Sequence, residues 1–525
     1  MIDKKQRYTQ ENHDNRKRVA NGAGIVFLGR LGAVVEAIAI FTFTWLYGAP
    51  TFGLFAVLWS LLVIATPIAD FAMTLTLQRF VPKGTEDEAH EAIGFALKLS
   101  FLLATLIAAA ASISAPYIAE KINADVNDAE HLSNVIRFYV WILPFWVLVE
   151  VGTAAIRARR TFGPEIRVRI FYEQGMRLVA GVIFAWLGWM TYGLFLAHML
   201  AVFFAALLAL RLIAKQLDFK KVLMAPMRGK LPKAMLHYAK PMAPAYLIKS
   251  LFSEMPVIFL NQFLPGAAGA AASGYYKIAR QVTSVLQMVG QTFEYVMAPL
   301  AAEKDGQNDI EGLREMFSFV VRISTVVALP FTVALILARF DILSLLKPEF
   351  SAAAAAIIAL SVARMFEVLA GPSTALVEML GHRLLPITNT LIGLVVMTSF
   401  SAYLIPLHGI TGGAIAAGLA INTTAILAFI ESIILFKMRP YDSRLIKPLI
   451  IVLFFSITLL FLDRYVNDYP PPTGVISSLL GFFLTLYMTV RYGLSESDAS
   501  ALGAFGRFAK PKTKKINVKT GTPHD

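Results

Sequence analysis

The sequence predicts an all-α integral membrane protein of about fourteen transmembrane helices, arranged as two six-helix halves related by a pseudo-two-fold with two further helices at the C-terminus. Three observations carry this. Apolar residues make up 57% of the 525-residue chain, mean hydropathy is +0.63 and only 16% of residues are charged, a balance foreign to soluble domains. The apolar residues run in long continuous stretches rather than alternating segments of about ten, which excludes a barrel. Lys and Arg crowd every second connection and number only four in the intervening ones; positive residues stay on the cytoplasmic side, so both termini are expected there.

A transmembrane helix needs about 20 mostly apolar residues. Such spans fall near 21–46, 53–78, 92–118, 134–156, 170–189, 192–213, 238–263, 267–298, 314–338, 352–380, 384–405, 409–436, 445–462 and 473–490. Arg16, Lys17 and Arg18 precede the first like a signal sequence, but that span is too long and has no small-residue cleavage site, so it reads as retained. The expected organisation is a cytoplasmic segment 1–20, a first half 21–214, a cytoplasmic connector 215–237, a second half 238–437, two helices in 438–492 and a basic cytoplasmic tail 493–525.

Spans 1 and 7 resemble one another. Arg30 and Glu36 precede the turn YGAPTFGLF, and Lys249 and Glu254 precede LPGAAGAAASGYY. Each pairs a mid-span cation with a carboxylate, a glycine-containing turn and a glycine-aromatic entry to the next helix. Repeats of this kind suit a transporter whose halves rock about a central site. Pro241, Pro244 and Pro256 in span 7 are expected to bend it, with or without a cavity at the bend.

Span 8 carries Ser273, Lys277, Arg280, Ser284, Gln287, Gln291 and Glu294 at alternating spacings of 4 and 3, a single helical face. Span 10 repeats the pattern with Ser361, Arg364, Glu367, Gly371, Thr374 and Glu378. A charge at the bilayer centre costs about 2.5 to 3.5 kcal/mol on insertion scales, so these faces must turn to a cavity or a partner. Counting from the span ends puts Arg30, Lys249, Lys277, Arg280, Arg322 and Arg364 near the midplane, a set suited to an anion. Glu36, Asp70, Glu254, Glu294, Glu367 and Glu378 accompany them and are the carboxylates open to coupling with protons or sodium. The plainer alternative is structural ion pairing: Arg364 with Glu367, and Glu173 with Arg177 at i,i+4, the latter favoured for that pair near a helix end. Lys98, Arg137 and Lys240 lie near enough to span ends to snorkel.

The net charge of +13 follows from this asymmetry, concentrated in Arg157 to Arg169, Lys215 to Lys233 and the tail, and needs no nucleic acid. Cysteine is absent, excluding disulfides and thiolate metal sites. Neither a phosphate-binding glycine loop nor a histidine cluster occurs, so neither metal nor cofactor is expected. External loops are short. The longest, EKINADVNDAEHLS, holds Glu120, Asp125, Asp128, Glu130 and His131 without an organised motif, which argues against a membrane glycosyltransferase or polymerase.

The stretch YGAPTFGLFAVLWSLLVIATPIADFAMTLTLQRFVP resembles the second-helix signature of the polysaccharide transporter family, within the multidrug/oligosaccharidyl-lipid/polysaccharide (MOP) exporter superfamily. Gly48, Phe52, Gly53, Phe55, Arg79, Phe80 and Pro82 match its pattern, and Arg30 with Gly32 looks like the first-helix arginine of lipid-linked oligosaccharide flippases. Ala72 departs from it: the family usually has glycine there, so helix crossing at that point is expected to differ. The resemblance implies an O-antigen flippase-like transporter, not an enzyme, in the bacterial inner membrane. It would move undecaprenyl-pyrophosphate-linked oligosaccharide to the outer leaflet for O-antigen, capsule or exopolysaccharide assembly, alongside the polymerase and glycosyltransferases of its pathway. On that reading Arg30, Lys249, Lys277, Arg280 and Arg364 hold the pyrophosphate, Ser284, Gln287 and Gln291 meet the sugar, and the prenyl tail stays among membrane lipids. A peptidoglycan-precursor flippase fits nearly as well; an ion-coupled multidrug exporter for cations would call for an acidic cavity instead.

Overall fold

The computed structural model describes residues 32–502 apart from 160–166, 307–308, 381–383, 439, 467–471, 496–497 and 499–501. Every expected span falls mainly on helix where it is described, and no strand occurs among the described residues. Nine described helices are long and apolar enough to cross a membrane, or ten with one bent pair counted as a span. This is a multi-pass membrane fold.

The first half comprises α1 (Gly32–Asp70), α2 (Met73–Phe80), α3 (Glu86–Ile113), α4 (Ala115–Lys121), α5 (Val126–Tyr139), α6 (Ile142–Ala158), α7 (Gln174–Trp186) and α8 (Met190–Gln216). A short α9 (Phe219–Met224) lies in the connector. The second half has α10 (Lys230–Phe263), α11 (Gly266–Gly306), α12 (Ile310–Ser344), α13 (Ala354–Leu369), α14 (Ser373–Met379) and α15 (Leu384–Phe436); α16 (Ser443–Val466) and α17 (Thr473–Met488) follow.

Two of these helices each hold two expected spans. In α1 the chain changes direction at Gly48 (φ +79), and in α15 at Gly409 (φ +56). Both angles lie where a side chain meets its own backbone, so glycine occupies the turn. After Gly409 the chain folds back so closely that a Cβ on Gly412 would lie 2.1 Å from the Leu404 carbonyl oxygen.

Other spans are broken. Span 2 is interrupted at Phe71 and Ala72 (φ +49 and +55), span 4 bends by 44° between α5 and α6, and span 10 is interrupted at Gly371 (φ +69) between α13 and α14. A π-helical turn, Arg167–Glu173, leads into α7. By contrast α10 runs as one helix through Pro241, Pro244 and Pro256.

Local signals set several ends. Thr85 begins α3 with a capping box: its hydroxyl accepts from the Glu88 N–H (3.3 Å), and the Glu88 carboxylate accepts from the Thr85 N–H (2.8 Å). Asp218 caps α9 through the N–H groups of Lys220 and Lys221. The connector rests on the first half, where Lys221 pairs with Asp87 at 2.8 Å and Lys98 reaches up to donate to the Ala225 carbonyl. The Asp87 carboxylate raises the pKa of the Lys221 ammonium.

Arg322, counted from the sequence among the cations near the midplane, is held by two carboxylates. Its side chain is 1% exposed, and its Nε and Nη2 donate to Asp498 (3.1 and 2.8 Å) and its Nη1 to Asp442 (2.6 Å). Those carboxylates flank α16 and α17, so Arg322 ties the two last helices to α12, the most enclosed span. A buried cation is tolerated when its partners are buried with it.

Candidate functional site

The two halves meet most closely where the glycine-aromatic entries of spans 2 and 8 cross. A Cβ on Gly53 would lie 1.7 Å from the Ala270 carbonyl oxygen, and one on Gly274 would lie 2.8 Å from that of Ala49. The repeat seen in the sequence therefore puts its two glycines against each other's backbone. From this crossing α10 opens out. Glu254, Pro256, Val257, Leu260 and Asn261, on its far side, are buried, whereas Lys240, Pro241, Pro244, Lys249 and Ser253 are exposed. Since Lys249 and Ser253 lie too deep in the span to face lipid cheaply, their exposure is consistent with a cleft between the halves that widens away from the crossing.

At the narrow end of the cleft lies a cavity of about 20 Å³, lined by Glu36, Ile40, Phe43, Phe52, Phe55, Ala56, Trp59, Arg177 and Lys277. That is room for about one water. Lys277 comes from α11 of the second half, Arg177 and Glu36 from α7 and α1 of the first. Two cations from opposite halves thus share one space with one carboxylate, walled by aromatic rings.

Arg177 was assigned from the sequence to an ion pair with Glu173 near a helix end, and the structure corrects this. No ion pair joins them among the described residues. The Arg177 Nη2 donates to Gln174, its guanidinium faces the Phe43 ring at 5.9 Å, and its Nε is buried without a hydrogen-bond partner. The residue is 7% exposed. A buried donor left unmade costs about 1 to 3 kcal/mol, more when charged. Gln174, Arg177 and Gly181, spaced 3 and 4 on α7, were the signal available for an inward face.

Other candidates have partners. Arg280 donates to the Ser253 carbonyl (2.7 Å) and pairs with Glu254 (3.2 Å), which also accepts from Ser60 (2.7 Å) and Ser253 (3.0 Å). This network joins spans 2, 7 and 8 just above the open part of the cleft. Arg364 pairs with Glu367 at 2.7 Å. Ser273 is buried, donating to the Val257 carbonyl, and Ser284 donates to that of Gln281. Gln287 and Gln291 line a second cavity of about 80 Å³ with Ser324 and Glu367, at the break in span 10. The polar stripe of α11 therefore serves two sites, Lys277 in one and the two glutamines in the other.

Asp70 is buried at the break in span 2, where it accepts from the Thr74 N–H (3.2 Å). Glu378, on α14, is exposed, as is Lys249. Arg30 and the side chain of Glu294 lie outside the described residues.

Comparisons with known proteins agree with this architecture. The profile of the polysaccharide biosynthesis protein family matches residues 46–377. No curated protein sequence matches the chain. Among solved structures, the fold is similar to the lipid II flippase MurJ in an inward closed conformation, with TM-score 0.67, 11% identity, and coverage of 89% of this chain and 98% of that one. It is also similar to a multidrug resistance MATE family transporter of the MOP superfamily in an inward-facing conformation (0.59, 15%, 80% and 94%). A third is a MOP superfamily transporter from Pyrococcus furiosus Vc1, whose binding pocket is described as of reverse polarity (0.57, 15%, 81% and 96%). The chain belongs to the polysaccharide biosynthesis protein family and has the fold of the MOP superfamily transporters.

Proposed function

We propose that the protein is a flippase for lipid-linked oligosaccharide, moving undecaprenyl-pyrophosphate-linked repeat units from the inner to the outer leaflet of a bacterial inner membrane by alternating access. The observation that carries this is the meeting of Lys277 and Arg177 in one buried space between the halves, with a guanidinium N–H left unbonded. Two cations and one carboxylate leave that space short of negative charge, and a pyrophosphate supplies it. Arg offers a fork matched to phosphate oxygens and Lys a point charge. A cationic drug would meet repulsion there, which weighs against the multidrug reading.

The headgroup enters from the wide end of the cleft, where Lys249 is exposed, and the aromatic wall of Phe43, Phe52, Phe55 and Trp59 presents faces on which sugar rings can lie. Space for a single water is too little for a pyrophosphate, so binding must part the halves at this level. The relative described as a lipid II flippase supports a lipid-linked pyrophosphate as cargo. Its sugar, not its phosphate, would separate that substrate from a polysaccharide unit. Coupling to protons or sodium falls most simply to Glu36, the carboxylate inside the cavity.

The test is competitive binding to the purified protein. A fluorescent prenyl-pyrophosphate oligosaccharide should be displaced by unlabelled lipid of the same headgroup and not by a lipophilic cation. Displacement by the cation alone would end this reading, and displacement by lipid II at lower concentration would move the substrate to the peptidoglycan precursor.

A further inference from the structure

Outside the cavity, a clasp of two asparagines joins the halves. Asn123 lies in the loop between α4 and α5 of the first half; Asn261 lies near the end of α10 in the second. The Asn123 N–H donates to Asn261 Oδ1 (3.0 Å), Asn123 Nδ2 to the Asn261 carbonyl (2.7 Å) and Asn261 Nδ2 to the Asn123 carbonyl (2.7 Å). The remaining acceptor, Asn123 Oδ1, takes the Gly266 N–H (3.2 Å). Alongside, Gln262 Nε2 donates to the Lys121 carbonyl (2.6 Å). Asn261 is fully buried.

Each side chain thus reads the other's backbone as a strand would, and neither carries charge. A neutral clasp of this kind suits a contact that forms and breaks. Its groups can exchange to water when exposed, and the net value of each bond is small although the set is specific in geometry. An ion pair such as Arg322 with Asp498 leaves buried charge behind when broken and suits a permanent tie. The clasp also lies on the same side of Glu254 as the glycine crossing, at the closed end of the cleft and in connections assigned to the outer face. Any movement that opens that end must part it.

We propose that Asn123 and Asn261 form the latch of the outer gate, holding the transporter closed on that side until the halves rock. This rests on the alternating-access reading above, and the test separates the two because it needs no substrate. The chain has no cysteine, so a single Ala56→Cys in the cavity wall reports access without background. The protein is placed in vesicles of both orientations and labelled with a membrane-impermeant maleimide from either side.

With the latch intact, labelling from the outer side is slow. Asn261→Asp sets a carboxylate against the Asn123 carbonyl, and Asn123→Ala removes two bonds from the other partner; either raises the ratio of outer to inner labelling about tenfold, equivalent to about 1.4 kcal/mol. Using both variants guards against failure of one to fold. An unchanged ratio in the folded variants overturns the latch. A raised ratio in a protein that does not bind lipid-linked pyrophosphate keeps the latch and discards the proposed cargo.

Discussion

Ala72 holds a left-handed backbone conformation (φ +55) with no exposed surface, which costs a residue with a Cβ about 1 to 2 kcal/mol. The position is where the family pattern has glycine, so the departure noticed in the sequence has a physical cost. Ala72→Gly relieves it, and even after the greater chain entropy of glycine is subtracted should raise stability by roughly 0.5 to 1 kcal/mol, readable as a higher melting temperature in detergent. Lys277 was legible because its helix carries an unbroken polar face and its depth excludes snorkelling. Arg177 was not, since i,i+4 spacing to a carboxylate is the commonest reason for an arginine on a helix, and spacing alone cannot say that the guanidinium turns toward Phe43. Arg280 and Arg364 share the same sequence logic as Lys277, yet each lies beside a carboxylate, Glu254 and Glu367. Which cations remain available to a ligand is a matter of rotamers and neighbours, beyond the reach of periodicity.

Among elements, the long apolar spans were legible almost throughout, because a span must satisfy its backbone internally and therefore shows itself by length. Their interruptions were not: Phe71, Ala72 and Val140 give no punctuation like that of Gly371 and Pro372, while α10 stays one continuous helix through its three prolines. The crossing of spans 2 and 8 makes a sharp demand on size. Gly53→Ala would drive a methyl into the Ala270 carbonyl, and overpacking of this kind costs about 1 to 3 kcal/mol; the expected result is reduced thermal stability with labelling of the cavity from the outer side increased. Arg322 sets a second demand. Arg322→Ala takes both guanidinium bonds from the buried Asp498 carboxylate, a loss of about 3 to 5 kcal/mol, and protease cleavage of the segment after α17 should appear in that variant at temperatures where the wild-type chain resists.

Across the whole molecule, the halves close on one side through backbone crossing and a neutral clasp, and open on the other into a cleft whose apex holds Lys277, Arg177 and Glu36. The related glycine-aromatic entries of spans 2 and 8 and the polar face that carries Lys277 are legible in the sequence; that Arg177 of the first half shares a cavity with Lys277 of the second is not, because the two lie a hundred positions apart. The most direct measurement of the central claim is transfer of a lipid-pyrophosphate oligosaccharide between leaflets in liposomes containing the wild-type protein, Lys277→Ala or Arg177→Ala. Each lost charge-assisted contact is worth about 1.5 to 3 kcal/mol, so transfer by either variant should fall about tenfold to a hundredfold with folded protein in the membrane unchanged. Transfer at the wild-type rate by both folded variants would contradict the account.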